Sequence, residues 1–264
     1  MTTLVRNNVS VLGDAMNRPM IFGHGYGTSQ QMWRLVAPQF IDDHRVVLFD
    51  HVGSGNSDLS AYDRGKYDSL HGYADDLLEI MRELDLHDAV FVGHSVSAMI
   101  GMLAAQQEPE RFGALVLVGA SPRYTNDGDY VGGFEPADVE ALLDTIDSNF
   151  LGFAHTMASV FMGNPDRPEL TAELIDSFAR TDVTVAQHFG RVTFLSDVRH
   201  HLSQVSTPCL ILQSADDVVA PVVVGEYLEQ QIPGSELAVL DIAGHYAHLS
   251  NPQELERQIR RYLS

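Results

Sequence analysis

The sequence predicts an α/β domain with a mostly parallel sheet flanked by helices, interrupted by an all-helical insert. Three observations carry that reading. Short, nearly continuous apolar runs recur through the first half and again near the end, as strands covered on both faces require. Between them lie segments whose apolar residues fall on one helical stripe. From residue 133 to residue 197 the strand signals stop and four helical stretches follow, broken near "SNF", "GNPDRP" and "RTD". The expected organisation is a core of residues 1–132 and 198–264 with an insert at 133–197.

The strand candidates in the first half are "NVSVLG", "PMIFGHG", "RVVLFD", "AVFVGHS" and "ALVLVGAS", most of them bounded by glycine or aspartate. Tyr73, Leu77, Ile80, Met81 and Leu84 share one helical stripe. "SAMIGMLAAQQ" reads as a buried helix that stops near Pro109. Beyond the insert, "PCLILQSADD" and "ELAVLDI" read as strands separated by a helix through "VVVGEYLEQQI". A last helix carries Leu255, Ile259, Tyr262 and Leu263 on one face.

Composition narrows the function classes. A chain of 264 residues with 45% apolar content can bury a sizeable core. Its net charge of −20, with Lys66 as the only lysine, repels phosphate backbones and anionic lipid, so neither nucleic acid nor a membrane surface is an expected partner. No apolar run approaches a membrane span, and the first twenty residues show no basic segment leading into an apolar one; a cytoplasmic location is the expectation. The single cysteine, Cys209, lies in "PCLILQ" and reads as a buried strand residue. Twelve histidines contain no His-Glu-x-x-His spacing, and no metal site is expected. "GHGYGTS" lacks the third glycine of a dinucleotide-binding turn, and Gly65-Lys66 has no upstream glycine at P-loop spacing.

The chemistry concentrates in "VFVGHSVSAM", residues 90–99, where an apolar strand runs through a tight turn into a helix. Gly-x-Ser-x-Gly in that setting is a nucleophile elbow, its serine held out at the turn. Gly93 and Ser95 fit, while Ser97 stands where a glycine is usual and adds only a hydroxymethyl. A serine nucleophile needs a base to take its proton and an acid to orient that base, in the chain order serine, acid, histidine for this kind of turn. Asp216 and Asp217 follow the strand "CLILQS", and residues alone leave the two open. His245 follows Gly244 in a loop after "LAVLDI", whereas His248 stands three residues on, at the start of a helical turn; position favours His245. Negative charge developing on a carbonyl oxygen calls for preset donors. The backbone N–H of Val96, opening the helix, and that of Tyr26, in the glycine-rich loop after "PMIFGHG", are the expected pair. His94 is expected to pack beneath the turn.

The insert carries Phe134, Phe150, Phe153, Met157, Phe161, Phe178, Phe189 and Phe194. Any one reads as packing, yet a small helical cover should not bury all eight internally. Phe134, Phe153, Met157, Phe161, Phe189 and Phe194, with Tyr26, are the expected lining of an apolar pocket.

At these residues the sequence resembles a branch of the α/β-hydrolases: the RsbQ-like stress-regulator hydrolases of bacteria and the plant strigolactone and karrikin receptors. The resemblance runs from about Asn8 to Leu263. Its most specific stretches are "VLFDHVGSGNSDLSAYD", "FVGHSVSAMIGMLA", "ASPRYTNDGDYVGGFE", "SDVR" and "LILQSADDVVAPVVVGEYL". It implies an α/β-hydrolase fold with a four-helix lid, and a triad of Ser95, Asp217 and His245. Asp217, four residues before Pro221, has the family spacing. It further implies hydrolysis of a small apolar ester or lactone without a cofactor, and a signalling role with a PAS-domain phosphatase as partner. A metabolic carboxylesterase or lactonase with no signalling partner and a carbon–carbon bond hydrolase are the alternatives. Dehalogenases and epoxide hydrolases need aspartate where Ser95 stands. One departure stands out: these relatives have phenylalanine where this chain has Tyr26, which implies an extra hydroxyl at the pocket mouth.

Overall fold

The computed structural model describes residues 1–264. Seven strands form one sheet in the order β1-β3-β2-β4-β5-β6-β7. They are β1 (Ser10–Leu12), β2 (Arg18–Gly23), β3 (His44–Leu48), β4 (Ala89–His94), β5 (Phe112–Val118), β6 (Cys209–Asp216) and β7 (Glu236–Ala243). All neighbours pair in parallel except β1, which runs antiparallel to β3 at the edge. That position accounts for its polarity: Val11 and Leu12 of "NVSVLG" are exposed, as an edge strand with a single neighbour permits.

The central strands are buried on both faces. Ile21 and Phe91 point into a large core shared with α2 (Leu70–Glu83) and α3 (Val96–Gln107). Their neighbours Met20, Phe22, Val90 and Val92 point to a smaller core with Trp33, Phe40, Leu255 and Ile259. Those last two belong to the terminal helix, Pro252–Leu263, and the alternation follows from the two-residue period of a strand. Short helices α1 (Thr3–Arg6) and α9 (Ala247–Ser250), with α8 (Val222–Gln231) and the terminal α10 (Pro252–Leu263), complete the flanking layers. Cys209 is wholly buried at the start of β6, and burial pushes its thiol up to about 12.

Between β5 and β6 the chain leaves the sheet and forms α4 (Pro136–Ser148), α5 (Phe150–Met162), α6 (Pro168–Ala179) and α7 (Val183–Phe194). α5 packs on α6, and α4 on α7. Breaks fall where the sequence supplies them: Asn149 caps α5 through its side chain, Gly163 ends it in the left-handed region, and Pro168 opens α6. The two ends of this excursion are tied together. Val198 N–H donates to Pro122 C=O at 2.9 Å, and the Asp197 carboxylate bridges Arg123 and Arg199, each at 2.7 Å. Those hydrogen bonds hold the Asp197 carboxyl well below the usual range. No helix is long and apolar enough to cross a membrane.

Candidate active site

Four loops that matter leave the same edge of the sheet, at the carboxyl ends of β2, β4, β6 and β7, where parallel α/β sheets bind ligands. The chain steps from β2 out to β3 and returns to lay β4 on the other side of β2, which puts Gly23 opposite Gly93.

The turn after β4 is tight enough to be strained. Ser95 has φ of 56°, a left-handed value that a side-chain-bearing residue adopts only where its surroundings impose it. A Cβ on Gly93 would stand 2.7 Å from the Ala98 nitrogen, so helix α3 starts almost on top of the strand. Ser97 is more than tolerated. Its hydroxyl donates to the His24 carbonyl and lies 2.7 Å from His51 Nε2, joining the first turn of α3 to the loops after β2 and β3.

Ser95 Oγ lies 2.9 Å from His245 Nε2, and His245 Nδ1 lies 2.7 Å from Asp217 Oδ2. The other Asp217 oxygen accepts the N–H groups of Val219 and Ala220, at 2.8 and 3.1 Å. All three side chains are almost wholly buried. Asp216, in contrast, is exposed, and its carbonyl accepts from Gly244 N–H. His248 is buried away from Ser95, packed against the Trp33 ring and edge-on to His94, with burial pushing it down to about 3. His94 sits under the turn. Its Nε2 lies 2.9 Å from the His245 carbonyl, and burial holds the ring neutral, so Nε2–H is the donor that braces the His245 backbone.

Val96 is the first residue of α3, so its N–H has no carbonyl within the helix to bond. Ser95 N–H is already given to Val118 C=O at 2.8 Å. On the facing loop, a Cβ on Gly25 would lie 2.7 Å from His94 Nδ1 and 3.4 Å from Ser95 Cβ; this glycine lets the backbone carrying Tyr26 close on Ser95.

Above Ser95 lies a cavity of only about 20 Å³, lined by Tyr26, Ser95, Tyr124, Phe161, Phe178, Thr193, Phe194, Val219, His245 and Tyr246. Of the expected lining, Tyr26, Phe161 and Phe194 are there, and four residues are not. Phe153 is wholly buried inside the insert, packed on Phe150, Phe161 and Phe178. Phe189 stacks on Tyr73 with ring centres 4.4 Å apart, behind Tyr26. Phe134 pairs its backbone with Tyr124 at the neck of the insert, and Met157 is a half-buried packing residue of α5. The expectation failed because the insert packs on the core as well as on itself, which buries six of its eight large apolar side chains. Tyr26 also differs from expectation: its hydroxyl does not face the pocket mouth but donates to Ala186 C=O at 2.8 Å.

Sequence reasoning passed over Tyr124, Phe178, Thr193, Val219 and Tyr246 as lining. Val219 lies two residues from Asp217 and Tyr246 next to His245, and both were legible from that alone; Tyr124 lies in the loop after β5, at the same sheet edge. Its hydroxyl is 3.5 Å from Ser95 Oγ, and burial pushes it up to about 12. A more voluminous cleft, about 510 Å³, opens between α2 and α7 beside His71, His188 and His201, and does not include Ser95. No group of three or more histidine, cysteine or acidic side chains is arranged to hold a metal ion.

Comparison with known proteins agrees with this architecture. The family model described as the alpha/beta hydrolase fold matches residues 18–252. The chain is 37% identical to the karrikin insensitive 2 receptor CA of Petunia hybrida, over 97% of this chain and 95% of that one. It is also 37% identical to the strigolactone esterase D14 of Arabidopsis thaliana, over 97% and 96%. Among solved structures, the hydrolase olei00960 from Oleispira antarctica superposes with a TM-score of 0.96 at 38% identity, covering 99% of this chain and 96% of that one.

Proposed function

The chain belongs to the α/β-hydrolase fold family, and from that premise we propose that it cleaves a small apolar ester or lactone through a Ser95–His245–Asp217 acyl-enzyme mechanism. The observation that carries this reading is the buried hydrogen-bonded chain from Ser95 Oγ through both nitrogens of His245 to Asp217. Ser95 O–H gives its proton to His245 Nε2 as Oγ attacks the carbonyl carbon; Asp217 holds Nδ1–H and stabilises the imidazolium. The carbonyl oxygen, now negative, accepts from the N–H groups of Val96 and Tyr26. The imidazolium then gives its proton to the leaving alcohol oxygen. Water repeats the sequence on the acyl-enzyme and regenerates Ser95.

Residues 133–197 act in this reading as a lid. Its inner face offers Phe161, Phe178 and Phe194 to the cavity and no cation, which suits a neutral apolar substrate better than a carboxylate-bearing one. A signalling role, with hydrolysis serving as a switch, is supported by likeness to the plant receptors along nearly the whole chain, the lid included. A PAS-domain phosphatase as partner rests on the resemblance to the RsbQ-like hydrolases alone. The comparable likeness to the Oleispira hydrolase agrees with hydrolysis under either reading, and a metabolic esterase or lactonase without a signalling partner is the alternative.

Ser95→Ala tests the mechanism. Turnover of 4-nitrophenyl butyrate should fall by at least about 10⁴-fold with the fold intact, because the triad acts as one unit; retention of a tenth of wild-type turnover removes Ser95 from the role. Mass spectrometry after exposure to a butenolide and to an aryl ester should find adducts on Ser95 or His245. Turnover near the 1–10³ per second typical of enzymes, with no phosphatase recovered in pull-downs, would favour the metabolic alternative.

A further inference from the structure

The lid is fastened to both catalytic loops. Near His245 the anchors are backbone and amide bonds: His245 N–H donates to Phe161 C=O at 2.8 Å, and Asn164 Nδ2 to Ala243 C=O at 3.1 Å. Over the segment after β2, Arg34 pairs with Glu173 of α6 at 2.5 Å, and Tyr26 reaches α7. The Tyr26 ring lies edge-on to Phe178 of α6 and to Phe189 and Phe194 of α7, at 5.8–5.9 Å between centres. Its hydroxyl reaches past them to the Ala186 carbonyl. One helical turn further on stands Gly190, and a Cβ there would lie 3.0 Å from the Tyr26 hydroxyl oxygen and 3.3 Å from the ring carbon that bears it. Glycine inside a helix weakens it by roughly 0.5–1 kcal/mol relative to alanine. Here it leaves the place where the phenol lodges.

The cavity over Ser95 explains why this tie matters. About 20 Å³ is room for a single water, whereas ligand pockets run to roughly 300–1,000 Å³. Thr193 and Phe194, two of its walls, belong to α7, the helix that Tyr26 holds. Phe161 of α5 and Phe178 of α6 complete the lid side of the cavity, and α7 is also held by the Tyr62 hydroxyl, 2.9 Å from His188 Nδ1. The Tyr26 bond is the one that joins α7 to the loop beside Ser95, so a shift of α7 away from that loop breaks it.

We propose that the Tyr26 hydroxyl is a positioning group that latches α7 over Ser95, with Gly190 as its seat, so that substrate entry requires its release. The inference rests on the reading of Ser95 as the nucleophile in what it says about substrate, though the latch itself is a property of the free chain. The backbone N–H of Tyr26 is a proposed oxyanion donor, so one residue joins lid closure to the placement of that donor. A side-chain substitution leaves the N–H in place.

The test is Tyr26→Phe, which keeps the ring and removes only the oxygen. A buried hydrogen bond contributes roughly 1 kcal/mol net, equivalent to about a fivefold change in the population of the open lid. Amide hydrogen exchange across residues 183–194 of the unliganded protein should therefore quicken about fivefold, and KM for 4-nitrophenyl butyrate should fall by a similar factor. Gly190→Ala, which crowds the hydroxyl and the carbon that bears it, should likewise lower KM; because alanine also strengthens the helix, KM rather than exchange is its readout. A hydroxyl that merely steadied α7 would quicken exchange but leave KM unchanged, so KM is the readout that separates a latch from a structural bond. Exchange at the wild-type rate in Tyr26→Phe, or an unchanged KM, overturns the latch. If instead Ser95→Ala keeps its turnover, the proposed function fails while the exchange measurement still decides the latch.

Discussion

Acidification from pH 7.5 to 5.5 should unfold this protein far more easily than its carboxylates alone explain. His51, His94 and His248 are buried to within 1% of complete exclusion from solvent. Burial holds His51 and His94 well below the ordinary histidine value and takes His248 down to about 3. His51 Nδ1, His94 Nδ1 and both nitrogens of His248 have no hydrogen-bond partner, so nothing there welcomes a proton. His24, also buried, is lowered too and acts in the same direction. Because the folded values lie below the unfolded one, the unfolded chain binds more protons, and stability is lost as pH falls below about 6.5. Each pH unit below that point costs roughly 1.4 kcal/mol per histidine, hence roughly 4 kcal/mol for these three at pH 5.5. Total stabilities of domains are about 5–15 kcal/mol, so the loss is large. Relief of repulsion within a chain of net charge −20 works the other way, but mainly nearer the pI of about 4.7. The assay is urea unfolding at both pH values. With a slope of about 3 kcal/mol per M the midpoint should drop by more than about 1 M at pH 5.5. His248→Leu, which replaces an imidazole that makes no hydrogen bond, should keep stability at pH 7.5 and remove about a third of the pH dependence. Equal midpoints at the two pH values would refute the reasoning. A full pH dependence in His248→Leu would mean that another group carries the protons.

Asp217→Asn should lower turnover by on the order of 10⁴-fold, since the amide cannot stabilise the imidazolium, while Asp216→Asn should change it less than about threefold; the reverse ranking in steady-state kinetics would exchange their roles. Phe161→Gln or Phe194→Gln, in the cavity wall, should shift preference between short-chain and longer-chain esters. Phe153→Ala should leave that preference alone yet lower stability by about 3–5 kcal/mol in urea unfolding, because the ring is wholly enclosed within the insert. Thr193 Oγ1 is buried at the cavity without a partner. Thr193→Val should therefore stabilise the free protein by about 1 kcal/mol, and a lower unfolding midpoint would show that the hydroxyl is satisfied after all.

What lies along the chain was legible from local chemistry. Apolar runs bounded by glycine mark strands because a doubly covered strand needs apolar side chains on both faces, and β2 to β7 follow them. The helices of the insert stop where asparagine, glycine and proline make them stop. Ser95, Val96 and His245 were readable because turn, helix start and post-strand loop are local features. Asp217 was not, since its neighbour Asp216 has the same chemistry; the sequence alone needed a resemblance to choose, whereas the fold separates them by burying one and exposing the other.

The pocket belongs to tertiary structure. Phe153, Phe161, Phe178, Phe189 and Phe194 are chemically alike, and only the angles at which α5, α6 and α7 settle on the core and on one another decide which of them sees Ser95. The same holds for Tyr26. Its sequence position brings a hydroxyl to the loop after β2, but whether that hydroxyl meets a ligand or the carbonyl of a helix 160 residues away depends on packing that no local pattern encodes. Local propensity and periodicity determined where the elements begin and end and which loops carry reactive groups. Long-range contacts, whose energies depend on how whole elements fit together, decided the size of the cavity and the residues that close it.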